Sequence, residues 1–291
     1  MAKRLGFIGL GNMGSRLANN LLEDHGEIVV WDRSQERRAE RPVGEAEVSD
    51  TIEGVIDRAD IIFISVFNDA ADEDVFEDIL RRDITGKYFI DFSTVSPDTT
   101  IELAHAVEQK GGQLLDAGIS GSILQVETRQ LIIFIGGDKS AFNDCRSYIE
   151  PLGKQTFYMG ASGFGMKGKL CVNLLLGVGL QSLAESLALA QKMGIEKQLM
   201  IEVLDSTAVI SPSQKSKLEL AAKDDYSFIN FSLELMYKDF GIIEQQAQKA
   251  AAPVPAATAA RQVAAIGVAK DIKADFAAVI QIMENLANIK K

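Results

Sequence analysis

Residues 4–14, Arg-Leu-Gly-Phe-Ile-Gly-Leu-Gly-Asn-Met-Gly, decide the fold of this chain. A short apolar strand pattern over residues 4–8 runs into three glycines with the spacing Gly-x-Gly-x-x-Gly, and a helical pattern follows over about 15–23. A second strand pattern over residues 27–31 completes a strand-helix-strand unit. A glycine turn in that position is typical of sheets that bind a dinucleotide.

Each glycine of the turn has an expected role. Gly9 permits the tight turn, Gly11 lets the backbone approach a pyrophosphate, and Gly14 lets the helix pack closely on the strand. The amino terminus of the helix then faces the phosphates. We therefore predict that six consecutive residues contact the cofactor: Gly9, Leu10, Gly11, Asn12, Met13 and Gly14.

The end of the second strand determines which dinucleotide binds. Asp32 would accept hydrogen bonds from the ribose hydroxyls and would repel a 2′-phosphate, which favours NAD. Arg33 and Ser34, with Arg37 and Arg38 a turn later, would instead hold that phosphate. Arg33 stacked on the adenine would suit either cofactor, so NAD is the preferred prediction and NADP stays open.

Two further strand patterns, over residues 60–66 and 88–91, are nearly all apolar, as a parallel sheet covered on both faces requires. Ligands bind at the carboxyl ends of such strands. Val66 and Phe67 after the first strand, and Thr94 after the second, are therefore predicted to line the cofactor crevice. Helix capping is the alternative role for Ser93 and Thr94.

The remaining pattern divides the chain in two. Strand patterns continue to about residue 158 and suggest a doubly wound parallel sheet of about eight strands, whereas helical patterns fill residues 164–193, 196–206, 212–223, 230–251, 254–269 and 272–288. We predict a Rossmann-type dinucleotide-binding domain over residues 1–160. An all-α domain over 161–291 is predicted to close over the substrate and to form a dimer.

The junction between the halves carries a candidate site for proton chemistry. Lys169 and Asn173 are four residues apart and would share one face of a helix. The alternative is a helical turn that carries a solvated lysine and a capping asparagine.

Composition excludes several classes of function. The net charge of −11 argues against nucleic acid or an anionic membrane as a partner. Two cysteines give neither a disulfide framework nor metal-ligand spacing, so no metal is expected. Residues 1–4 lead directly into a strand, so no signal peptide is expected and the predicted location is the cytoplasm.

Five motifs in order carry a resemblance to a known family. They are the glycine turn at 9–14, Asp-Phe-Ser-Thr-Val-Ser-Pro at 91–97, Asp-Ala-Gly-Ile-Ser-Gly-Ser at 116–122, Gly-Phe-Gly-Met-Lys-Gly-Lys-Leu-Cys-Val-Asn at 163–173, and Lys-Asp-Phe at 238–240. Over essentially its full length the chain resembles the β-hydroxyacid dehydrogenases. That group includes 3-hydroxyisobutyrate dehydrogenases and glyoxylate and semialdehyde reductases. The helical half is 6-phosphogluconate dehydrogenase-like, but Val172 stands where that enzyme has histidine.

The resemblance implies roles for particular residues. Lys169 matches the catalytic lysine that gives a proton to the carbonyl oxygen or takes it in reverse, and Asn173 matches the residue that orients the substrate. Ser120 and Gly121, with Ser122 beside them, match the loop that binds the substrate carboxylate. Thr94 matches a residue beside both nicotinamide and substrate. Lys238 matches a lysine that closes over the cofactor, with Asp239 supporting it.

The resemblance also implies an activity. It indicates an NAD(P)-dependent oxidoreductase that interconverts a small β-hydroxy acid and its semialdehyde or keto acid, working as a homodimer or a dimer of dimers. The alternatives are an imine reductase of the same fold, disfavoured by Lys169, and a non-catalytic nucleotide-binding scaffold.

Three residues depart from the family pattern. Ser122 replaces a second glycine, and Gln125 and Arg129 replace small residues. Gln125 would narrow the pocket if it faced it. Arg129 would either pair with a second acidic group of the substrate or lie on the surface, which is the preferred reading.

Overall fold

The computed structural model describes residues 3–40 and 43–289. Residues 1–2 lie outside the described residues. They belong to the segment 1–4, on which the expectation of no signal peptide rests. The chain divides into two compact units, residues 1–169 and 170–291. The division of labour between a cofactor domain over 1–160 and a substrate-closing domain over 161–291 concerns function and stays a prediction.

The first unit is built on one eight-stranded sheet in the order β3-β2-β1-β4-β5-β6-β7-β8. The strands are β1 Leu5–Ile8, β2 Val29–Trp31, β3 Glu47–Val48, β4 Ile61–Ile64, β5 Tyr88–Asp91, β6 Gln113–Ser120, β7 Leu131–Gly136 and β8 Gly153–Gly160. The helices between them are α1 Gly14–His25, α2 Gln35–Glu40, α3 Ile52–Arg58, α4 Asp69–Leu80, α5 Pro97–Gln109, α6 Ile123–Glu127 and α7 Lys139–Ile149, with a 3₁₀ turn at Glu150–Leu152.

Helices cover both faces of this sheet, which is why its central strands are apolar throughout. In β4, Ile61 and Phe63 belong to one buried cluster, and Ile62 and Ile64 belong to another. Successive side chains of a strand point to opposite faces, so each cluster marks one face of the sheet. The predicted Rossmann-type doubly wound sheet is confirmed.

One pairing corrects the expectation of a parallel sheet. Six of the seven strand pairings are parallel, but β7 is antiparallel to β6. The connection over residues 121–130 holds only the five-residue α6, which is shorter than the crossover of a dozen or more residues that parallel pairing needs. The chain therefore returns beside β6 in the opposite direction.

The second unit is all helical, as predicted. Its elements within the described residues are the greater part of α8 Phe164–Lys192, then α9 Lys197–Asp205, α10 Pro212–Lys223, α11 Leu233–Lys249, α12 Pro255–Ala269, a 3₁₀ turn at Phe276–Ala278, and α13 Val279–Leu286. Its buried cluster joins Leu180 and Leu187 of α8 to Phe240 of α11 and Ala264 of α12. Helix α8 is long and apolar enough to cross a membrane, but core helices of soluble proteins meet the same two criteria.

Two acidic side chains are buried where α4 packs near β5. Asp72 is 0% exposed, and neither of its carboxyl oxygens has a hydrogen-bond partner among the described residues. Asp91 is also buried, and its Oδ1 accepts the Ser93 N–H at 2.8 Å. Burial raises the pKa of Asp91 to about 7, and burial followed by the charge of Asp91 raises the pKa of Asp72 well above its ordinary value.

We predict that Asp72→Asn makes the protein less sensitive to alkaline pH. The folded chain holds the protons of these carboxyls more tightly than the unfolded chain, so they stabilise the fold at low pH. That stability is lost as the pH rises from about 4 through about 7 for Asp91, and higher for Asp72. Asparagine cannot lose a proton, so the variant lacks the loss of stability that ionisation of Asp72 causes in the parent. The melting temperature of the variant relative to the parent should therefore increase between pH ~5 and pH ~8.

The matched control is Asp74→Asn, on the exposed side of the same helix. A difference in melting temperature between Asp72→Asn and the parent that does not change with pH would contradict the assignment.

Candidate functional site

The glycine turn follows β1 and needs glycine at two of its three positions for steric reasons. Gly9 has φ +94°, and a Cβ there would lie 2.2 Å from the carbonyl oxygen of Ser65. A Cβ on Gly14 would lie 2.0 Å from the carbonyl oxygen of Gly9. By contrast, a Cβ on Gly11 would meet no atom within 4 Å. The space over Gly11 is thus open, as the close approach of a pyrophosphate requires.

The amino terminus of α1 provides favourable electrostatics for that anion. Met13 at the N-cap makes no side-chain capping bond, and no acidic residue lies in the first turn. The positive end of the helix dipole is therefore left uncompensated by the chain itself. The turn and the helix together fit the pyrophosphate of a dinucleotide.

Asp32 holds the glycine turn and the end of β2 together. Its side chain is buried, with Oδ2 accepting the Leu10 N–H at 2.7 Å and Oδ1 accepting the Ser34 N–H at 2.8 Å. The guanidinium of Arg37 lies 3.8 Å from Oδ2. Asp32 thus has a structural function in addition to its predicted contact with the ribose, a function that the sequence did not reveal.

The residues after Asp32 present charges of both signs. Arg33 is exposed, and the Ser34 hydroxyl donates to Glu36 Oε2 at 2.9 Å while accepting the Arg37 N–H at 3.0 Å. A 2′-phosphate here would meet two guanidinium groups but also the Glu36 carboxylate.

The loops after β4 and β5 are joined by hydrogen bonds. The Val66 N–H donates to Ser93 Oγ at 2.9 Å, and the Ser93 N–H donates to Asp91. Thr94 is half-buried and Phe67 is exposed. Since β2, β1, β4, β5 and β6 are parallel neighbours, their carboxyl ends meet at one edge of the sheet. The structure thus brings the predicted cofactor residues of the first unit to the same edge.

The loop after β6 explains two of the departures from the family pattern. Gly121 has φ +146°, and Ser122 begins α6. The Ser122 N–H and hydroxyl both donate to Gln125 Oε1, at 2.9 and 2.5 Å. Gln125 therefore caps the amino terminus of α6 with its side-chain oxygen.

Arg129 is engaged by α1. Its guanidinium lies 2.5 Å from Asp24 Oδ2 and 3.1 Å from Glu23 Oε2. With two carboxylates of the protein already bound, this guanidinium is poorly suited to bind a second acidic group of a substrate.

The start of α8 is fixed by a buried carboxylate. Asp116 of β6 is 0% exposed, and its Oδ1 and Oδ2 accept the N–H groups of Gly163 and Met166, each at 2.8 Å. Burial raises the pKa of Asp116, and these backbone donors offset part of the rise. Sequence analysis did not assign it a role, although an acidic residue inside an apolar strand pattern was a usable signal.

Lys169 lies on the next turn of α8, against the same strand. It is 8% exposed, and a Cβ on Gly118 would lie 2.8 Å from its Cβ. The strand needs glycine here because the helix carrying Lys169 approaches its backbone directly. The predicted catalytic lysine is thus a buried residue in a defined place and does not extend freely into solvent.

In the second unit, Asn173 and Lys238 are linked through Asp239. Asn173 is 1% exposed, and its Nδ2 donates to Asp239 Oδ2 at 2.6 Å. The Lys238 Nζ lies 3.2 Å from Asp239 Oδ1. Asn173 Oδ1 is buried and has no hydrogen-bond partner within residues 3–40 and 43–289. Buried polar atoms are normally paired, so this amide oxygen is an acceptor that the described residues leave unsatisfied.

Among the described residues, no group of three or more histidine, cysteine, aspartate or glutamate side chains is placed to hold a metal ion. Of the predicted site residues, only Asn173 and Lys238 lie in the second unit.

A doubly wound sheet with this glycine turn defines a dinucleotide-binding protein of the Rossmann type. Residues 4–160 match the family described as the NAD binding domain of 6-phosphogluconate dehydrogenase. Residues 163–283 match the NAD-binding family of NADP-dependent 3-hydroxyisobutyrate dehydrogenase. The chain belongs to the β-hydroxyacid dehydrogenase family, whose cofactor is NAD or NADP.

Three known proteins illustrate the relationship. Glyoxylate/succinic semialdehyde reductase 1 of Arabidopsis thaliana is 32% identical over 286 residues, which cover 96% of this chain and 98% of that protein. Cytokine-like nuclear factor N-PAC of Drosophila melanogaster is 35% identical over 226 residues, or 76% of this chain and only 38% of that protein. The solved 3-hydroxyisobutyrate dehydrogenase of Mycobacterium tuberculosis with L-serine is 26% identical, with a TM-score of 0.85 over 97% of this chain and 99% of that one.

Proposed function

We propose that this protein is an NAD(P)-dependent oxidoreductase that interconverts a small β-hydroxy acid and its semialdehyde or keto acid. The observation that carries the proposal is the placement of Lys169. Its helix packs directly on Gly118, and Ser120 follows two residues later on the same strand. The proposed proton donor thus lies against the strand that leads into the predicted carboxylate-binding loop.

The cofactor would be held by the first unit. The open space over Gly11 and the uncapped start of α1 fit the pyrophosphate, and Asp32 lies at the end of β2 where the ribose is expected. Val66, Phe67 and Thr94 would line the nicotinamide side. The bound nicotinamide would supply the hydride exchanged with the carbon of the substrate.

The proton would come from Lys169. In reduction, its ammonium group gives a proton to the carbonyl oxygen while the carbon gains the hydride, which leaves a neutral lysine and an alcohol. In oxidation, the neutral amine takes the hydroxyl proton. The buried position of Lys169 keeps competing water from that proton.

The substrate would be a small carboxylate. Backbone N–H groups around Ser120 and Gly121 would bind its carboxyl group without adding a charge, with Ser122 beside them. Asn173 would orient it, and Lys238 would contribute a positive charge next to the cofactor. The relatives are named for glyoxylate, succinic semialdehyde and 3-hydroxyisobutyrate, which all carry a carboxyl group near the reacting carbon.

Two alternatives receive less support. An imine reductase needs no lysine at this position, whereas here Lys169 is buried and fixed in place. A non-catalytic scaffold is the other alternative, since one relative is named as a nuclear factor. A scaffold would not need the pair Lys169 and Asn173, both of which are present.

We propose a cytoplasmic dimer or dimer of dimers. Leu175, Leu189 and Met193 of the α8 region are large apolar side chains with high exposure, Leu175 reaching 73%. Large apolar side chains exposed along one helix are typical of a surface covered by another subunit.

Lys169→Ala should lower kcat for semialdehyde reduction by about 10²-fold or more, because general acid catalysis typically contributes that much. Binding of NADH or NADPH, measured by fluorescence titration, should stay within about 2-fold of the parent. Lys169→Arg is the matched control. It keeps the positive charge, but a guanidinium does not release its proton near neutral pH, so this variant should be as inactive as the alanine variant. Near-parental turnover by either variant would exclude the proton-donor role.

Arg33→Ala and Glu36→Gln should shift cofactor preference in opposite directions. Removal of the exposed guanidinium should weaken NADPH binding more than NADH binding, and removal of the carboxylate should strengthen NADPH binding, by about 5- to 10-fold each. Kd values measured with both cofactors at one ionic strength test this. Parallel shifts for the two cofactors in both variants would show that these charges do not face the 2′ position.

The double variant Leu175→Glu, Leu189→Glu should reduce the mass in solution to that of a monomer, because buried unpaired carboxylates oppose association. Light scattering after size-exclusion chromatography measures this mass. Val48→Glu, an equally polar change at an exposed apolar residue of the first unit, should keep the parental mass. A double variant that retains the parental mass would place the interface elsewhere.

A further inference from the structure

We infer that Asp116 is a positioning residue for the reaction: through the start of α8 it sets the place of Lys169 relative to the loop that binds the substrate carboxylate. This inference rests on the proposed function, because it gives Lys169 and that loop their roles. Asp116 itself touches neither substrate nor cofactor.

The first support is the way the carboxylate of Asp116 is used. It accepts one N–H from Gly163, just before α8, and one from Met166, in the first turn, each at 2.8 Å. These are groups that a helix cannot satisfy internally. Lys169 follows Met166 by three residues, so the fixed turn is adjacent to the lysine along the helix.

The second support is the lack of room for any other arrangement. A Cβ on Gly136 would lie 2.4 Å from Asp116 Oδ1, and a Cβ on Gly165 would lie 2.7 Å from Oδ2. Both carboxyl oxygens are thus enclosed by residues without side chains. The carboxylate has little freedom to move, and a longer acidic side chain would not fit.

The third support is the spacing along β6. Asp116, Gly118 and Ser120 alternate with their neighbours, so they lie on one face of the strand. Asp116 binds the start of α8, Gly118 contacts Lys169, and Ser120 begins the predicted carboxylate-binding loop. Two residues of a strand span about 7 Å, so the residue that contacts Lys169 and the first residue of the predicted loop are close neighbours on that face.

The functional consequence follows from the chemistry of the carboxylate. Both of its oxygens accept hydrogen bonds, whereas an asparagine offers one acceptor and one donor. In Asp116→Asn, an N–H of the helix start would face an NH₂ group, and the first turn would shift. Misplacement of a catalytic group by about 1 Å can cost about 10²-fold in rate.

The test compares Asp116→Asn with Asp138→Asn. Asp138 is the N-cap of α7 and accepts the Ala141 N–H at 2.8 Å, so it makes the same kind of bond in the same unit but outside the proposed site. We expect Asp116→Asn to lower kcat by about 10- to 100-fold while KM for the semialdehyde and Kd for the cofactor change less than about 3-fold. Asp138→Asn should leave kcat within about 2-fold and the melting temperature close to that of the parent, because asparagine caps a helix about as well as aspartate.

A second measurement does not depend on turnover. The side-chain amino groups of the lysines are labelled by reductive ¹³C-methylation and observed by NMR. The Lys169 signal is identified by its loss in Lys169→Arg. In Asp116→Asn this signal should shift, and in Asp138→Asn it should not. If the parent reduces no semialdehyde or keto acid but the signal shifts, the proposed function fails and the positioning by Asp116 stands.

The inference is overturned if Asp116→Asn retains parental kcat, or if the Lys169 signal is unchanged in it. It is also overturned if Asp116→Asn and Asp138→Asn lower kcat equally, because Asp116 would then contribute only to the stability of the fold.

Discussion

The hydrogen bonds between the Asp116 carboxylate and the start of α8 are the constraint on which the proposed site depends. They attach the first turn of α8 to β6, and Lys169 lies immediately after that turn. The attachment requires close approach, which explains glycine at positions 118 and 165. A side chain at either position would push the first turn of α8, and Lys169 with it, away from β6.

Much of the fold could be predicted because its signals are local. The glycine turn, the apolar strands and the proline breaks each occupy a few residues, and the helical segments of the second unit begin and end close to the predicted positions. The small strand β3 was missed because both of its residues are exposed. Glu47 is charged, and Val48 does not belong to an apolar run. The antiparallel direction of β7 was missed because an apolar strand pattern does not show in which direction the strand runs.

The site was less predictable because its most constrained residues act through long-range contacts. Asp116 pairs with groups about fifty positions away, and Asp239 with an asparagine sixty-six positions away. No spacing rule relates such partners before the fold is known. Arg129 shows the opposite case: its sequence position suggested the pocket as one option, but its actual partners are Glu23 and Asp24 on α1.

The contacts of α6 with α1 give the first helix two duties. The amino terminus of α1 faces the predicted pyrophosphate. Further along α1, Asn20 donates to the Val126 carbonyl at 2.8 Å, and the carboxylates of Glu23 and Asp24 bind Arg129. These contacts hold the segment after Ser122 against α1. A helix is stiff over this length, so the glycine turn and the segment after Ser122 are fastened to the same rigid element. A displacement of α1 would therefore move both of them together.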